Sequence, residues 1–365
     1  MWIMSSNESL TDAPSVAALR RRLLGGAAAE KHLGLRFAGY RLRLASNDDR
    51  VVDELRAYYG SFVDEVRTAP TLTVWSAPAT ELELDWKIKP REGGKTGPKE
   101  AYLELPDGRL VRKLRTGMLF LLGADDWLAY GPCRDYLNQV VNFINGRFLA
   151  RELERDGALL HASAVAAGER ALALAGFSGM GKSSLALELM GPGLDFVSND
   201  RLVLRREHGE RIVVGVPKHP RINPGTALNN PALHGVLSEN KRLRYAELEP
   251  EELWDVEDKH NVHIGERYGP RRFRLRAGFA GLVILNWRHG GGPTVLRRVR
   301  LAERRDLFSA FTKAPGLFYR PLGKALTEVD DEAYLELLAE ALVYEISGGI
   351  DFTYAAAACR ELLGD

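Results

Sequence analysis

The chain has 365 residues, which fits two domains or one large α/β domain with additions, and it can bury roughly three quarters of its unfolded surface. Apolar residues make up 45% and charged residues 27%, with 50 Lys and Arg against 49 Asp and Glu. This composition excludes a disordered chain and gives no reason to expect general nucleic-acid binding. The two cysteines, Cys133 and Cys359, lie far apart, which argues against a disulfide framework or a cysteine zinc site and suits a reducing cytoplasm.

Hydropathy gives no sign of a membrane protein. The longest apolar runs, such as residues 277 to 285, are well short of the roughly 18 residues that a membrane span requires. The first ten residues lack a basic segment followed by an apolar one, so no secretion signal is predicted. We therefore expect a cytoplasmic protein that binds neither membranes nor nucleic acid.

The first part of the chain is predicted to hold a leader and a small domain. Residues 1–32 form the leader, partly disordered, because Gly25 and Gly26 interrupt an apolar and basic stretch. Residues 33–132 alternate short apolar runs with turns, which predicts a separate α+β N-terminal domain. Its predicted strands include 40–44, 71–75 and 118–122. A connecting helix is expected within 133–155, where apolar residues recur at three- and four-residue spacing.

Strand and helix signals alternate between residues 156 and 325, which favours a central sheet covered by helices. The predicted strands are 164–167, 171–175, 196–197, 202–204, 212–216 and 279–285, with helices at 182–190 and 303–311. Residues 326–365 are predicted to be helical, with helices at 332–346 and 354–363. The predicted fold class is thus α/β, with a separate α+β N-terminal domain and a helical C-terminal tail.

One motif carries the predicted chemistry. Residues 176–183 read GFSGMGKS and fit G-x-x-x-x-G-K-[ST], after an apolar strand and before a helix. Backbone N–H groups of such a turn, with the N-terminus of the next helix, form a site for a nucleotide's β-phosphate. Lys182 supplies a charge between the β- and γ-phosphates, and the Ser183 hydroxyl is a Mg²⁺ ligand. The predicted nucleotide contacts are Gly176, Ser178, Gly179, Met180, Gly181, Lys182, Ser183 and Ser184.

Polar residues from two other segments of the chain are predicted to lie next to this turn. His161 stands fifteen residues before Gly176, and Asn199 and Asp200 stand twenty-three and twenty-four residues after it, at the end of a short apolar strand. Because strand ends converge on the ligand crevice in such sheets, these side chains are expected to meet around one γ-phosphate.

The stretch from His161 to Leu204 resembles the nucleotide site of the HPr kinase/phosphorylase family and its related bacterial kinases, which share a P-loop form with phosphoenolpyruvate carboxykinase. That family has a His, then a G-x-S-G-x-G-K-S loop, then an acidic pair after a short strand, and this chain presents those elements in that order. The similarity continues more faintly to the strand that ends at Trp287. Residues 1–150 do not share it.

The resemblance implies an ATP-dependent kinase that uses Mg²⁺ to transfer the γ-phosphoryl group to a serine of a protein or peptide, or to a small-molecule hydroxyl. Family roles place His161 beside the γ-phosphate, and Asp200 as either a Mg²⁺ ligand, together with Ser183, or the acceptor of the substrate proton. Arg272 and Arg274, on a predicted strand with one cationic face, fall near the family's active-site arginine. Family analogy also implies a homo-oligomer.

Three departures from the family keep a second reading open. Asn199 replaces the first of two aspartates, Ser184 replaces a glutamate, and the family's E-[IV]-R-G-x-G segment is not found. HPr itself as the substrate is therefore doubtful, and the alternative is a nucleotide-binding regulator that kept the P-loop without turnover. A motor or transporter ATPase is poorly supported, because the strand at 279–285 ends in Asn-Trp rather than acidic residues. The loop containing Lys218 and Arg221 is either a solvated surface or an approach to the substrate.

Overall fold

The computed structural model describes residues 14–66, 68–90, 97–191, 193–320 and 329–364. These residues form mixed α/β structure with two large sheets, and their contacts divide the chain into two units. The first unit comprises Met1–Arg36 and Arg41–Gly146, and the second comprises Phe37–Tyr40 and Arg147–Asp365. Within the described ranges, no helix combines the length and apolar character needed to cross a membrane.

The first unit is built on an eight-stranded sheet in the order β1-β2-β3-β8-β7-β6-β5-β4. Strands β2, β3 and β8 run parallel, and pairing from β8 to β4 is antiparallel. Its elements in chain order are α1 (Val16–Leu24), β1 (Lys31–Phe37), β2 (Tyr40–Ser46), α2 (Asp49–Tyr59), β3 (Thr71–Ser76), β4 (Lys87–Ile88), β5 (Glu100–Leu105), β6 (Gly108–Lys113), β7 (Leu119–Gly123), β8 (Trp127–Gly131) and α3 (Leu137–Leu153), which continues into the second unit.

Part of the predicted leader forms a helix. Residues 1–13 lie outside the described residues, but α1 begins after Ser15, whose side chain accepts a hydrogen bond from Ala18 N at 3.2 Å. Val16 and Leu19 are buried in the core of the first unit. Gly25, with a left-handed φ of +58°, ends the helix instead of interrupting it.

The second unit contains a nine-stranded sheet in the order β12-β10-β11-β17-β14-β13-β9, with β19 also on β17 and β18 on β19. Its elements in the described residues are β9 (Ala158–Leu160), β10 (Ala162–Ala167), β11 (Arg170–Gly176), α4 (Lys182–Met190), β12 (Asp195–Ser198), β13 (Leu202–Glu207), β14 (Glu210–Gly215), β15 (Arg221–Ile222), α5 (Pro224–Asn229), α6 (Glu239–Ala246), α7 (Pro250–Asp255), β16 (His260–Asn261), α8 (Ile264–Tyr268), β17 (Arg276–Trp287), β18 (Val295–Arg298), α9 (Phe308–Phe311), α10 (Asp331–Leu338), β19 (Val343–Gly348) and α11 (Phe352–Leu363).

Helices cover both faces of this sheet, as β11 illustrates. Leu172 and Leu174 enter a core with residues of α4 and α11, whereas the alternating residue Ala173 enters a second core with α9 and α10. Strand β11 is therefore buried on both sides, and it pairs in parallel with β17 as far as Gly176. This packing fixes the point at which the chain leaves the sheet for the turn before α4.

The C-terminal segment is not the purely helical tail that the sequence predicted. The predicted helix at 332–346 ends as α10 at Leu338, and Glu340 adopts a left-handed φ of +62°. Residues 343–348 instead form β19, which pairs in parallel with β17 from Leu282 onward. Val343 and Ile346 are buried there, so tertiary pairing overrides the local helical pattern. Residues 321–328 of the predicted domain boundary lie outside the described residues.

A buried ion pair ties α3 to β13 within the second unit. Arg205 Nε lies 3.2 Å from Glu152 Oε2, and both side chains are 4% exposed. Arg205→Ala is expected to lower the free energy of unfolding by about 3 kcal/mol, because it leaves a buried carboxylate with weaker partners. Urea unfolding followed by circular dichroism measures this effect. Arg206→Ala, exposed on the same strand, is the control, and an equal loss in both variants would contradict the prediction.

Candidate functional site

The turn between β11 and α4 has the backbone that a phosphate cradle requires. Gly179 and Gly181 have left-handed φ angles of +84° and +81°, which only glycine adopts readily. A Cβ at Gly181 would lie 2.5 Å from the ring of Phe352, so this position also excludes larger residues. Trp287 Nε1 donates to the carbonyl oxygen of Met180 at 3.1 Å and holds the outer part of the turn.

Lys182, the first residue of α4, folds back over this turn. Its Nζ donates to the carbonyl oxygens of Gly176 at 2.7 Å and Phe177 at 3.2 Å. Burial lowers the pKa of Lys182 to about 8; the charge of Lys313 acts in the same direction and that of Asp200 opposes it. The ammonium group thus lies at the base of the cradle with few compensating charges, which favours an anionic ligand there.

Asn199 joins the turn to the neighbouring strands. Its Oδ1 accepts hydrogen bonds from Ser183 Oγ at 2.6 Å and from Ser163 Oγ, on β10, at 2.8 Å. Asn199 follows β12, and β12 pairs with β10, so the sheet brings Asn199 to Ser163, whereas Ser183 comes from the first turn of α4. Ser184 turns away from this group and exchanges a hydrogen bond with Thr226 at 2.7 Å.

Asp200 and His161 meet beside the turn, as the sequence predicted. His161 Nε2 lies 2.9 Å from Asp200 Oδ1, and the backbone N–H of His161 donates to Phe311 O at 2.7 Å. Asp200 has a left-handed φ of +67°, which Asp and Asn tolerate better than most residues. Its side chain is 47% exposed, so the carboxylate is open to a ligand.

Lys313 completes this group, and the sequence analysis missed it. Its Nζ lies 3.0 Å from Asp200 Oδ2 and donates to the Asp200 carbonyl oxygen at 3.1 Å. Partial burial alone would raise the pKa of the Asp200 carboxyl, but the His161 hydrogen bond and the Lys313 charge hold it well below its usual range. An isolated β-bridge between Leu160 and Thr312 brings Lys313, the next residue, close to His161. No motif marks Lys313, so this contact leaves no local signal.

Lys218 lies in the same electrostatic environment. Burial lowers its pKa to about 8; the charges of Arg201, Lys313 and Arg221 act in the same direction, whereas that of Asp200 opposes them. Lys313 contacts the Asp200 carboxylate, and Lys182 and Lys218 interact with it through their charges, so three lysines face one carboxylate in the described part of the site. This surplus of positive charge favours the binding of anionic ligands.

Arg272 and Arg274, predicted as catalytic, are not brought to this site. Their Nε atoms lie 3.2 and 3.3 Å from the carboxylate of Asp195, which begins β12, whereas Asn199 and Asp200 follow its other end. Arg272 also donates to the carbonyl oxygen of Met190, at the end of α4 opposite Lys182, at 3.2 Å. The strand predicted through Arg272 and Arg274 begins in the structure only at Arg276, as β17. Both arginines therefore lie before this strand and hold strand and helix ends together.

The residues present fit a magnesium ion bound with nucleotide. Mg²⁺ prefers oxygen ligands and keeps waters and phosphate oxygens, so it needs few protein groups. Ser183 Oγ and Asn199 Oδ1 are two adjacent oxygens at the turn. Asp200, the other predicted ligand, is paired with His161 and Lys313 instead of Ser183. The described residues contain no group of three or more His, Cys, Asp or Glu side chains that could hold a metal ion by themselves.

Comparison with known proteins gives a distant structural similarity. No protein-family model matches the chain, and no curated protein matches it. The chain is similar to the structure of the Hpr(Ser) kinase/phosphatase from Coxiella burnetii, with 12% sequence identity and a TM-score of 0.29. The match covers 56% of this chain and 88% of that chain. Because the TM-score is this low, the similarity gives no information about the site.

Proposed function

We propose that the second unit is an ATP-dependent phosphotransferase of the HPr kinase-like type, which transfers the γ-phosphoryl group to a hydroxyl. The acceptor is a serine of a protein or peptide, or a small molecule. The observation that carries the proposal is the contact of Asp200 with both His161 and Lys313 beside the glycine-rich turn that begins α4. This group contains a proton acceptor and a cation, the two functions that transfer of a terminal phosphoryl group would use.

The nucleotide is held by groups that the turn already presents. Lys182 exchanges its two backbone carbonyl partners for oxygens of the β- and γ-phosphates, which bind an ammonium group more strongly because they are charged. The N-terminal N–H groups of α4 face the same anion. Ser183 and Asn199 would hold a Mg²⁺ ion, which would neutralise negative charge on the phosphates.

The transfer step uses Asp200 as the proton acceptor. The acceptor hydroxyl oxygen forms a bond to the γ-phosphorus, and the bond from that phosphorus to the β,γ-bridging oxygen breaks. The bridging oxygen leaves with its electron pair on ADP, and the hydroxyl proton passes to the Asp200 carboxylate. His161 orients that carboxylate through Oδ1. Lys313, whose Nζ lies 3.0 Å from Asp200 Oδ2, would supply the positive charge that stabilises the phosphoryl oxygens in the transition state.

The direct test is transfer of labelled γ-phosphoryl from Mg-ATP to candidate acceptors, compared between the wild type and Asp200→Ala. The proposal expects ATP binding in both proteins and transfer in the wild type alone. Tight ATP binding without transfer in either protein would favour the alternative, a nucleotide-binding regulator. Asn199 is the observation that supports this alternative, because an amide beside Ser183 adds no negative charge for the metal.

The variant Asn199→Asp tests whether this amide weakens the binding of Mg²⁺ together with ATP. The aspartate keeps an oxygen that accepts from Ser163 and Ser183 and adds a negative charge next to the magnesium position. We expect the Mg²⁺ concentration for half-maximal ATP binding to fall about fivefold, as a charged ligand replaces a neutral one. Calorimetric titrations of ATP at several Mg²⁺ concentrations measure the shift. Asn229→Asp, which lies in α5, is the control, and an unchanged Mg²⁺ requirement would argue against this metal position.

A further inference from the structure

We propose that the phosphoryl acceptor is itself an anion, and that Lys218 binds a carboxylate or phosphate group that the acceptor carries beside its hydroxyl. This inference rests on the proposed phosphotransferase function and adds the charge of the substrate. Two kinds of acceptor carry an acidic group near a hydroxyl: an acidic peptide that contains serine, and a small hydroxy acid.

The backbone fixes the position of Lys218. Strand β14 ends at Gly215, where a Cβ would lie 1.9 Å from the carbonyl oxygen of Val197, so only glycine permits this close approach to β12. The next residue, Val216, donates from its backbone N–H to Ser198 Oγ at 3.1 Å. The N–H of Lys218 then donates to Val216 O at 2.7 Å in a tight turn. Lys218 is therefore held close to the end of β12, where Asp200 follows.

The charges around Asp200 exceed what the nucleotide needs. Lys182 belongs to the turn that holds the phosphates, and Lys313 contacts Asp200 directly. Lys218 remains, and its nearest charged neighbours include two further cations, Arg201 and Arg221. Of the four charged groups with the largest influence on Lys218, three are cations and Asp200 is negative. The side of the site away from the turn is thus strongly cationic before an acceptor binds.

Such an arrangement is unfavourable in the free protein. Burial and like charges both disfavour the protonated form of Lys218, and a lysine in a fully solvated loop would avoid this cost. An anionic group next to Lys218 offsets it, because opposite charges attract more strongly in a partly desolvated crevice. The same charge attracts an acidic acceptor toward Asp200, and it disfavours a neutral or basic acceptor by comparison.

The test uses matched pairs of acceptors that differ only in charge. One pair is the capped peptides Gly-Glu-Ser-Glu-Gly and Gly-Gln-Ser-Gln-Gly, and the other is glycerate and glyceramide. Initial rates of phosphoryl transfer from Mg-ATP are measured, together with calorimetric binding to protein saturated with Mg-ADP. In at least one pair, we expect the acidic member to react about tenfold faster and bind about tenfold more tightly than the neutral one. A tenfold difference corresponds to one well-placed charge pair. The responding pair identifies a peptide or a small molecule as the source of the anion.

Lys218→Gln is the decisive variant. It is expected to remove most of the preference for the acidic member while the Kd for ATP stays within about twofold, which is the range of a surface change. Lys259→Gln, at an exposed lysine of the same unit, should keep the preference. The inference is overturned if both members of each pair behave alike, if the preference survives in Lys218→Gln, or if that variant weakens ATP binding as much as acceptor binding. Failure to bind ATP at all would instead reject the proposed function.

Discussion

Lys182→Ala is expected to weaken ATP binding about a hundredfold, because it removes a charge-assisted contact to the β- and γ-phosphates. In the free protein the Nζ of Lys182 donates to two carbonyl oxygens of the turn. The fold should therefore persist, since α4 is held by buried residues such as Leu185 and Leu189. Isothermal calorimetry with Mg-ATP measures the affinity, and thermal unfolding checks the fold.

The matched control for this variant is Lys259→Ala, which removes an exposed lysine of the same unit. Its affinity for ATP should equal that of the wild type. If Lys182→Ala binds ATP as tightly as this control does, the turn before α4 is not the phosphate site. A loss of affinity together with a large drop in the unfolding temperature would point to a structural role for the lysine instead.

Asp200→Asn is expected to slow phosphoryl transfer about a thousandfold, because an amide cannot accept the proton of the acceptor hydroxyl. Asparagine is chosen because the left-handed φ of +67° at this position suits it as well as aspartate. ATP should bind at least as tightly as in the wild type, since the variant removes the carboxylate that lies between His161 and Lys313. Single-turnover rates and calorimetry separate these two effects.

Asp255→Asn, at an exposed position at the end of α7, is the control for this second variant and should keep the wild-type rate. A rate for Asp200→Asn equal to that of the control would exclude Asp200 as the base. Weaker ATP binding would show that Asp200 acts mainly on the metal, which is the role that the sequence analysis left open for it.

The sequence predicted the local elements of the site well. The helix after the turn was predicted at Lys182–Met190, and α4 has these bounds. The meeting of His161 with Asp200 was also expected, and the two side chains lie 2.9 Å apart. Both follow from signals within short segments, namely strand and helix periodicity, glycines with left-handed φ, and strand ends that face one crevice.

Other parts of the site could not be predicted from local signals. Arg272 and Arg274 alternate with apolar residues as on a strand, yet the carboxylate of Asp195 binds both guanidinium groups at the end of β12 remote from Asp200. Residues 343–348 share the helical pattern of α10, yet pairing with β17 makes them a strand. In both cases a partner distant in sequence decides the structure, and periodicity contains no information about that partner.

By itself, the sequence determined that this chain has an α/β unit with a glycine-rich turn between a strand and a helix, because backbone geometry and hydrophobic alternation are properties of neighbouring residues. Only the tertiary structure decided which charges surround that turn. Lys313 reaches Asp200 across 113 residues through one bridge between Leu160 and Thr312, and the close approach of β14 to β12 holds Lys218 near the end of β12. Electrostatic interactions depend on distance in space, and that distance is set by how the sheet is assembled.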